Sequence, residues 1–460
     1  MMDRNLLEKE GQAHVLRFWD KLTDAEKAAL EAQVAKLDFA AIGRMRKMLL
    51  GRGKAGVATA ADPEPAPVEV LDDPAARAAA KVRGEEALRA GRVAVVLVAG
   101  GQGARLGFDG PKGAYKIGPV TGLPLFHFHS RKILALSRRY GAPVPFYIMT
   151  SETNDAATRA CFEEHGFFGL PREDVFFFKQ GMWPALDPDG KIILDSPGHI
   201  FMSPDGHGGT LSALVASGAA ADMERRGITT VFYFQVDNPM VAIADPEFIG
   251  LHLAKGADIS IKVCAKRDPQ EGLGMVVTRG GRFEMVEYTE FTDEQKNRRR
   301  ADGELYFKYG SVAIHVFDFG FMKREALAAL PLHLAHKKIA MCADDGTVVK
   351  PSAPNGFKFE KFVFDVIPDA KTVLNLAFDR ADEFSPVKNA EGNDSPASCR
   401  GDLQKKWARW LAACGVKVPC AADGTPAAAI EIDPATADGP EALRAYLADH
   451  KVDATQTINI

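Results

Sequence analysis

The spacing of apolar residues changes character several times along the chain. In residues 1–50, Val15, Phe18, Trp19 and Leu22 fall at i, i+3, i+4 and i+7. Thr23 with Glu26 then makes a capping box ahead of a helix carrying Leu30, Val34 and Leu37. This predicts an amphipathic helical hairpin packed on a larger domain. Residues 51–70, rich in Gly, Ala and Pro, read as a linker, after which Asp73 and Pro74 start a helix that Gly91 stops.

From Val93 onward strand and helix alternate. The run 93–98 is apolar and β-branched without helical period, as in a strand buried on both faces. Further strands are predicted at 144–150, 175–178, 230–236, 258–265, 311–317 and 372–378. Helices are predicted at 125–140, with Phe126, His129, Ile133 and Leu136 on one face, at about 155–165, from Asp245 and Pro246 to Gly256, and at 398–414. A hairpin over 275–287 turns at Gly280 and Gly281, and the tail 416–460 reads as a small terminal lobe. The pattern predicts an α/β fold, a mainly parallel twisted sheet with helices on both faces, flanked by small amino- and carboxy-terminal lobes. The expected divisions are 1–90, 91–385 and 386–460.

Composition narrows the function classes. With 460 residues and 46% hydrophobic content the chain fills two or three lobes. A formal net charge of -4 excludes a dominant nucleic-acid-binding surface, and the one basic cluster, KNRRR at 296–300, reads as a solvated loop. No apolar run approaches the ~18 residues of a membrane span, and the first residues lack an apolar signal core. The six cysteines lie far apart without a C-x-x-C pair, which suits reduced thiols and a cytoplasmic location.

The chemistry begins where strand 93–98 ends. Gly100, Gly101 and Gly103 allow the backbone to approach a ligand and turn N–H groups toward an anion, while Arg105 and Lys112 carry charge for phosphate oxygens. A dinucleotide fingerprint fails because Leu106 stands where its last glycine belongs, and a P-loop fails because Gly113 follows Lys112. Asp237 ends the strand in VFYFQVDNP, where a carboxylate reaches a phosphate-bound metal or simply forms an Asp-Asn turn. SPDGHGGTLSAL sets Gly206, Gly208 and Gly209 at the start of a helix, a setting for close approach of a base or phosphate. The pairs His127 with His129 and His333 with His336 lack the carboxylate company of a metal site and read as core or surface.

The whole string G-G-x-G-x-R-L-G followed by P-K-G resembles the activation loop of sugar-1-phosphate uridylyltransferases, most of all the eukaryote-type UDP-N-acetylglucosamine pyrophosphorylases. GQAHVLRFWDKLTDAEKAAL is similar to their amino-terminal region, and similar motifs run in order to about residue 400. The resemblance implies a Rossmann-like nucleotidyltransferase domain, with UTP and a sugar 1-phosphate as partners and Mg²⁺ as cofactor. The sugar phosphate attacks the α-phosphorus directly, so the protein must hold two polyanions together and neutralise the leaving pyrophosphate.

By the same resemblance Arg105, Lys112 and Lys388 are catalytic and Asp237 is the metal ligand. Gly100, Gly101, Gly103, Gln180, Gly206 and Lys358 bind nucleotide, with Gln180 reading uracil through an amide that both donates and accepts. His207, Glu287, Lys308, Ser311, Phe362, Val363 and Phe364 line the sugar. Here the chain departs from the family: His207 stands where the acetylglucosamine enzymes have Asn, and Phe307-Lys308-Tyr309-Gly310-Ser311 replaces F-N-A-G-N. The expected sugar is N-acetylglucosamine 1-phosphate, with glucose or galactose 1-phosphate as the alternative and a non-catalytic UDP-sugar binder as a further one.

Overall fold

The structure, a computed structural model, describes residues 4–51 and 62–460. Two compact units emerge, each assembled from separate stretches of chain. One takes the described residues of Met1–Ala61 with Gln180–Thr210 and Ala329–Asp365; the other takes Asp62–Lys179, Leu211–Ala328 and Val366–Ile460. The boundaries expected from the sequence are linear, whereas these units interleave.

The larger unit is built on a seven-stranded sheet. In chain order its strands are β1 (Val93–Val98), β2 (Phe146–Thr150), β3 (Val175–Lys179), β4 (Thr230–Gln235), β5 (Ile259–Ala265), β6 (Tyr309–Asp318) and β7 (Val373–Ala377). Their spatial order is β7-β5-β6-β4-β1-β2-β3, and every pairing is parallel except the two made by β6. Val93, Val95 and Leu97 of β1 pack in one core with Leu88, Ile133 and Phe248, which lie on three helices. On β2, Tyr147 alternates with the core residues Phe146 and Ile148 and donates to Asp222 of the helix Ala219–Arg225 at 2.6 Å. Helices therefore cover both faces. Gly84 and Gly250 mark a close helix crossing, since a Cβ on Gly84 would sit 1.9 Å from the Pro246 carbonyl oxygen.

Asp73 and Asp245 cap their helices with proline at the next position, and Gly256 ends the second in the left-handed region. The hairpin Met275–Arg279 with Arg282–Val286 turns at Gly280 and Gly281, both with positive φ.

Part of the expected linker is sheet. Residues 52–61 lie outside the described residues, but Glu64 and Pro65 pair with Thr278 and Val277, and Glu69 bridges to Leu376 of β7. The carboxy-terminal tail forms no separate core: Ile430, Ile432, Leu443 and Ile458 share one cluster with Leu106, Ile117 and Leu125.

In the smaller unit the capping box of Thr23 and Glu26 forms as expected and starts the helix Asp24–Val34. The preceding apolar spacing does not give a helix. It gives two 3-10 turns, Ala13–Leu16 and Trp19–Lys21, because Gln12 and His14 are tied to Gly190 and Ile192 at long range. Val15, Phe18 and Leu22 are still buried, in a core with Leu186, Ile192 and Phe357.

Among the described residues no helix is long and apolar enough to cross a membrane.

Candidate active site

In the larger unit the chain builds β1, β2 and β3 outward in one direction and then returns to place β4 on the other side of β1. That reversal is the topological switch point of an open α/β sheet, where ligands bind beyond the strands' carboxyl ends. The glycine loop leaves β1 there and Asp237 leaves β4 beside it: Val98 pairs with Gln235, and the Val236 N–H donates to the Val98 carbonyl at 3.1 Å.

The loop is closed by its own backbone. Gly103 N–H donates to Gly110 O at 2.9 Å, and Lys112 N–H donates to Gly101 O at 3.1 Å. Asn154 ties down its root through Ala99 O and Gly101 O. The glycines have different reasons to be glycine. A Cβ on Gly103 would meet the Phe108 ring at 2.7 Å and one on Gly113 the Phe126 ring at 2.1 Å, whereas one on Gly101 would meet nothing within 4 Å. Gly101 thus leaves an open approach to the loop backbone; Gly103 is needed by packing. Gly100, immediately before Gly101, is half-buried, and Arg105 is exposed on the 3-10 turn Ala104–Leu106.

Lys112 Nζ lies 3.8 Å from Asp237 Oδ2. Val387, beside Lys388, is tied to the same strand end, its N–H donating to Asp237 O at 2.8 Å, while Lys388 donates its own N–H to Asp394 O and its Nζ lies 5.7 Å from the Phe384 ring centroid. Asn238, beside Asp237 and given no role by the sequence reading, clamps this junction by donating to Glu383 O at 2.7 Å and accepting from Ser385 N–H at 3.1 Å. Behind it, Lys262 is fully buried between Asp245 at 3.0 Å and Glu383 at 2.5 Å. Burial pulls its pKa down, and the two carboxylates more than reverse this, so it stays a cation.

Glu287 and Ser311 also belong to this unit. Glu287 follows the hairpin, and Ser311, on β6, donates its N–H to Gly274 O at 2.8 Å. Lys308 is ion-paired with Glu304 at 3.1 Å and its pKa is raised by that contact.

The remaining expected residues lie in the smaller unit. Gln180 is buried where the chain leaves β3. Next to it, Gly181 O accepts from Asp205 N–H. Gly206 has φ +85, and Cβ atoms on Gly206 and Gly208 would meet the backbone of Lys361 and Phe362 at 2.4 and 2.7 Å. These glycines allow two protein segments to approach each other, a reason different from the ligand approach expected of the string. His207 Nδ1 accepts from Val363 N–H at 3.1 Å, its ring stacks on Phe362 at 5.2 Å and tilts against Phe364 at 5.6 Å. Burial lowers its pKa to about 4, so it is neutral with the proton on Nε2. Lys358 lies over the Phe201 ring at 4.9 Å, with its pKa lowered by burial.

Asp205, inside SPDGHGGTLSAL, and Lys361, three residues after Lys358, carry no role in the sequence reading. Asp205 is 3% exposed, its Oδ1 has no hydrogen-bond partner among the described residues, and burial pushes its carboxyl up to about 6 against the Lys361 ammonium 4.0 Å away. The histidines also have company invisible in sequence: His127 is 3.3 Å from Asp433 and His333 is 2.9 Å from Asp365. Among the described residues no three metal-ligating side chains converge.

The profile of the UTP–glucose-1-phosphate uridylyltransferase family matches residues 61–393. The chain belongs to this family. Members similar over most of their length include UDP-N-acetylhexosamine pyrophosphorylase-like protein 1 of Homo sapiens, 37% identical over 96% of this chain and 94% of that one. The UDP-N-acetylglucosamine pyrophosphorylase of Saccharomyces cerevisiae is 39% identical over 73% of each chain. Among solved structures, the uridine diphosphate N-acetylglucosamine pyrophosphorylase of Trypanosoma brucei, in complex with an inhibitor, superposes with a TM-score of 0.83 at 29% identity, covering 97% of this chain and 95% of that one. In this member of the family the fold brings the loop after β1 beside the carboxylate after β4.

Proposed function

We propose that the chain is a uridylyltransferase that makes UDP-N-acetylglucosamine and pyrophosphate from UTP and N-acetylglucosamine 1-phosphate. The carrying observation is the Lys112–Asp237 pair, a cation and a carboxylate 3.8 Å apart at the switch point in a member of this family. A phosphate oxygen of the sugar phosphate forms a bond to the α-phosphorus, the bond to the bridging oxygen breaks, and pyrophosphate leaves with that electron pair. Arg105, Lys112 and Lys388 neutralise the leaving group's charge, and the backbone at Gly101 receives the phosphates. Gln180 pairs with uracil, with Gly206 and Lys358 on the nucleotide; Glu287 and Ser311 accept and donate to sugar hydroxyls.

The donor set suits Mg²⁺ that arrives with the triphosphate: one carboxylate, Asp237, would hold it, with phosphate oxygens and water completing the shell. When bound it supplies Lewis-acid neutralisation of phosphate charge. The proposed compartment is a reducing cytoplasm, supported by six cysteines none of which is paired.

The acetylated sugar is supported by the names of the relatives at 36–39% identity. A plain hexose is the second reading, favoured by His207, which is locked on Val363 and Phe362. The test is pyrophosphate release from UTP and Mg²⁺ with N-acetylglucosamine, N-acetylgalactosamine, glucose and galactose 1-phosphates in parallel. Preference for an acetylated sugar is expected. Equal or better turnover of glucose 1-phosphate moves the assignment to the hexose, and silence with all four, beside tight UDP-sugar binding, removes the catalytic reading.

A further inference from the structure

Behind the Asp237 turn lies a cavity of about 200 Å³ within the larger unit, lined by Phe128, Lys132, Lys406, Trp407, Trp410 and the segment Pro239–Ile243. Its chemistry is unusual for its depth. Lys132 Nζ donates to Pro239 O and Val241 O, and Lys406 Nζ donates to Met240 O and Asp382 O. Each ammonium has three donors, so each keeps one beyond those two carbonyls. Among the described residues neither lysine is within 4.0 Å of a carboxylate oxygen, in contrast to Lys262 with its two. Burial lowers both pKa values, Lys406 to about 8 and Lys132 well below the usual lysine range, and each amine further depresses the other or is depressed by a neighbouring cation. Two buried amines that the carboxylates of Glu383, Asp382 and Asp438 reach only from beyond ion-pair distance, opening on an aromatic-walled cavity, are stabilised as cations by an anion that enters.

We propose that this cavity is a binding site for a small aromatic carboxylate. The walls give the body of the ligand: Phe128, Trp407 and Trp410 present ring surface, and Lys406 itself lies 5.2 Å from the Trp410 ring centroid. The charges give the head. The two oxygens of one carboxylate match one spare donor on each amine, which leaves the second charge of a dianionic phosphate without a donor beside the lining carboxylates Asp245, already paired with Lys262, and Asp438. Arg139 lines it too but is already paired with Asp438. The site is distinct from the phosphate loop, yet its wall is the turn that continues directly from Asp237 and Asn238.

Calorimetric titration of the full chain with 1-naphthoate, alone and with saturating UTP, tests the site, with 1-naphthalenemethanol as the uncharged control. A saturable isotherm with one naphthoate per chain is expected, persisting with UTP present and at least ~10-fold weaker for the alcohol, about the difference one charge-assisted hydrogen bond makes. Lys406→Met and Trp410→Ala are each expected to weaken naphthoate by ~10-fold or more. Trp410→Ala is the decisive variant should Lys406→Met fail to fold, because Trp410 is only half-buried. Equal binding of the alcohol overturns the proposal. So does competitive displacement by UTP, or unchanged affinity in a Trp410→Ala protein that melts like the parent. The outcome does not depend on which sugar the active site accepts.

Discussion

Lys112 and Asp237 are 3.8 Å apart, a separation at which opposite charges attract appreciably. In the proposed reaction both would act on the phosphates, Asp237 through the metal. Lys112→Ala and Asp237→Asn are each expected to lower kcat by at least ~10²-fold, the scale of losing one electrostatic contact to a transition state. Pyrophosphate-release kinetics would show this, and unchanged turnover in both variants removes the assignment. Asp205 bears on stability instead. Burial raises its carboxyl from 3.8 to about 6, so the native state binds the proton more tightly than the unfolded chain. The associated stability is present below about pH 4 and is lost as pH rises through about 6, worth up to ~3 kcal/mol for a shift of about two units. Asp205→Asn removes that loss. Urea unfolding at pH 4 and pH 7 should show the variant gaining on the parent by up to that amount at the higher pH; a constant difference would mean the carboxyl ionises normally.

At the scale of elements, the glycine loop separates two demands that its sequence merges. Gly113→Ala drives a Cβ to 2.1 Å from the buried Phe126 ring and is expected to destabilise by about 1–3 kcal/mol, seen in thermal melts. Gly101→Ala meets no protein atom within 4 Å; its melt should match the parent while KM for UTP rises. A normal KM in that variant would show that nucleotide does not approach Gly101. Elements marked by local chemistry were legible in the sequence: Asp73-Pro74 and Asp245-Pro246 start helices, Gly256 stops one, and Gly280-Gly281 turns the hairpin. Elements fixed by distant partners were not. Val15 to Leu22 has helical spacing, but Gln12 and His14 are held by residues about 180 positions away, and 3-10 turns bury the same side chains. Pro65 to Glu69 has linker composition, yet its backbone completes a strand edge against Val277 and Leu376. Asn238 and Lys361 escaped for the same reason: an amide or an ammonium looks solvated until the fold supplies Ser385 or Asp205.

At the scale of the molecule, the carboxy-terminal strands and the glycine loop share one hydrophobic cluster. Glu431, 2% exposed on the strand Ile430–Glu431, accepts from Val120 N–H at 2.7 Å and Thr121 N–H at 2.9 Å, and from the Thr121 hydroxyl. That turn closes the segment that begins with Lys112, and Ile430 packs in the same cluster as Leu106 and Ile117. A carboxyl group with three donors holds the turn, and removing it leaves those part-buried donors unpaired, a cost of about 1–3 kcal/mol for each that finds no water. Glu431→Ala is therefore expected to lower unfolding free energy and to speed amide exchange over residues 117–125, far from the substitution in sequence. Glu431→Gln, which keeps one acceptor oxygen, should recover part of both effects. The consequence for catalysis is specific: with Lys112 on a looser loop, KM for UTP should rise more than kcat falls. An exchange pattern confined to residues around 431 would mean that the chain end packs on the loop without holding it.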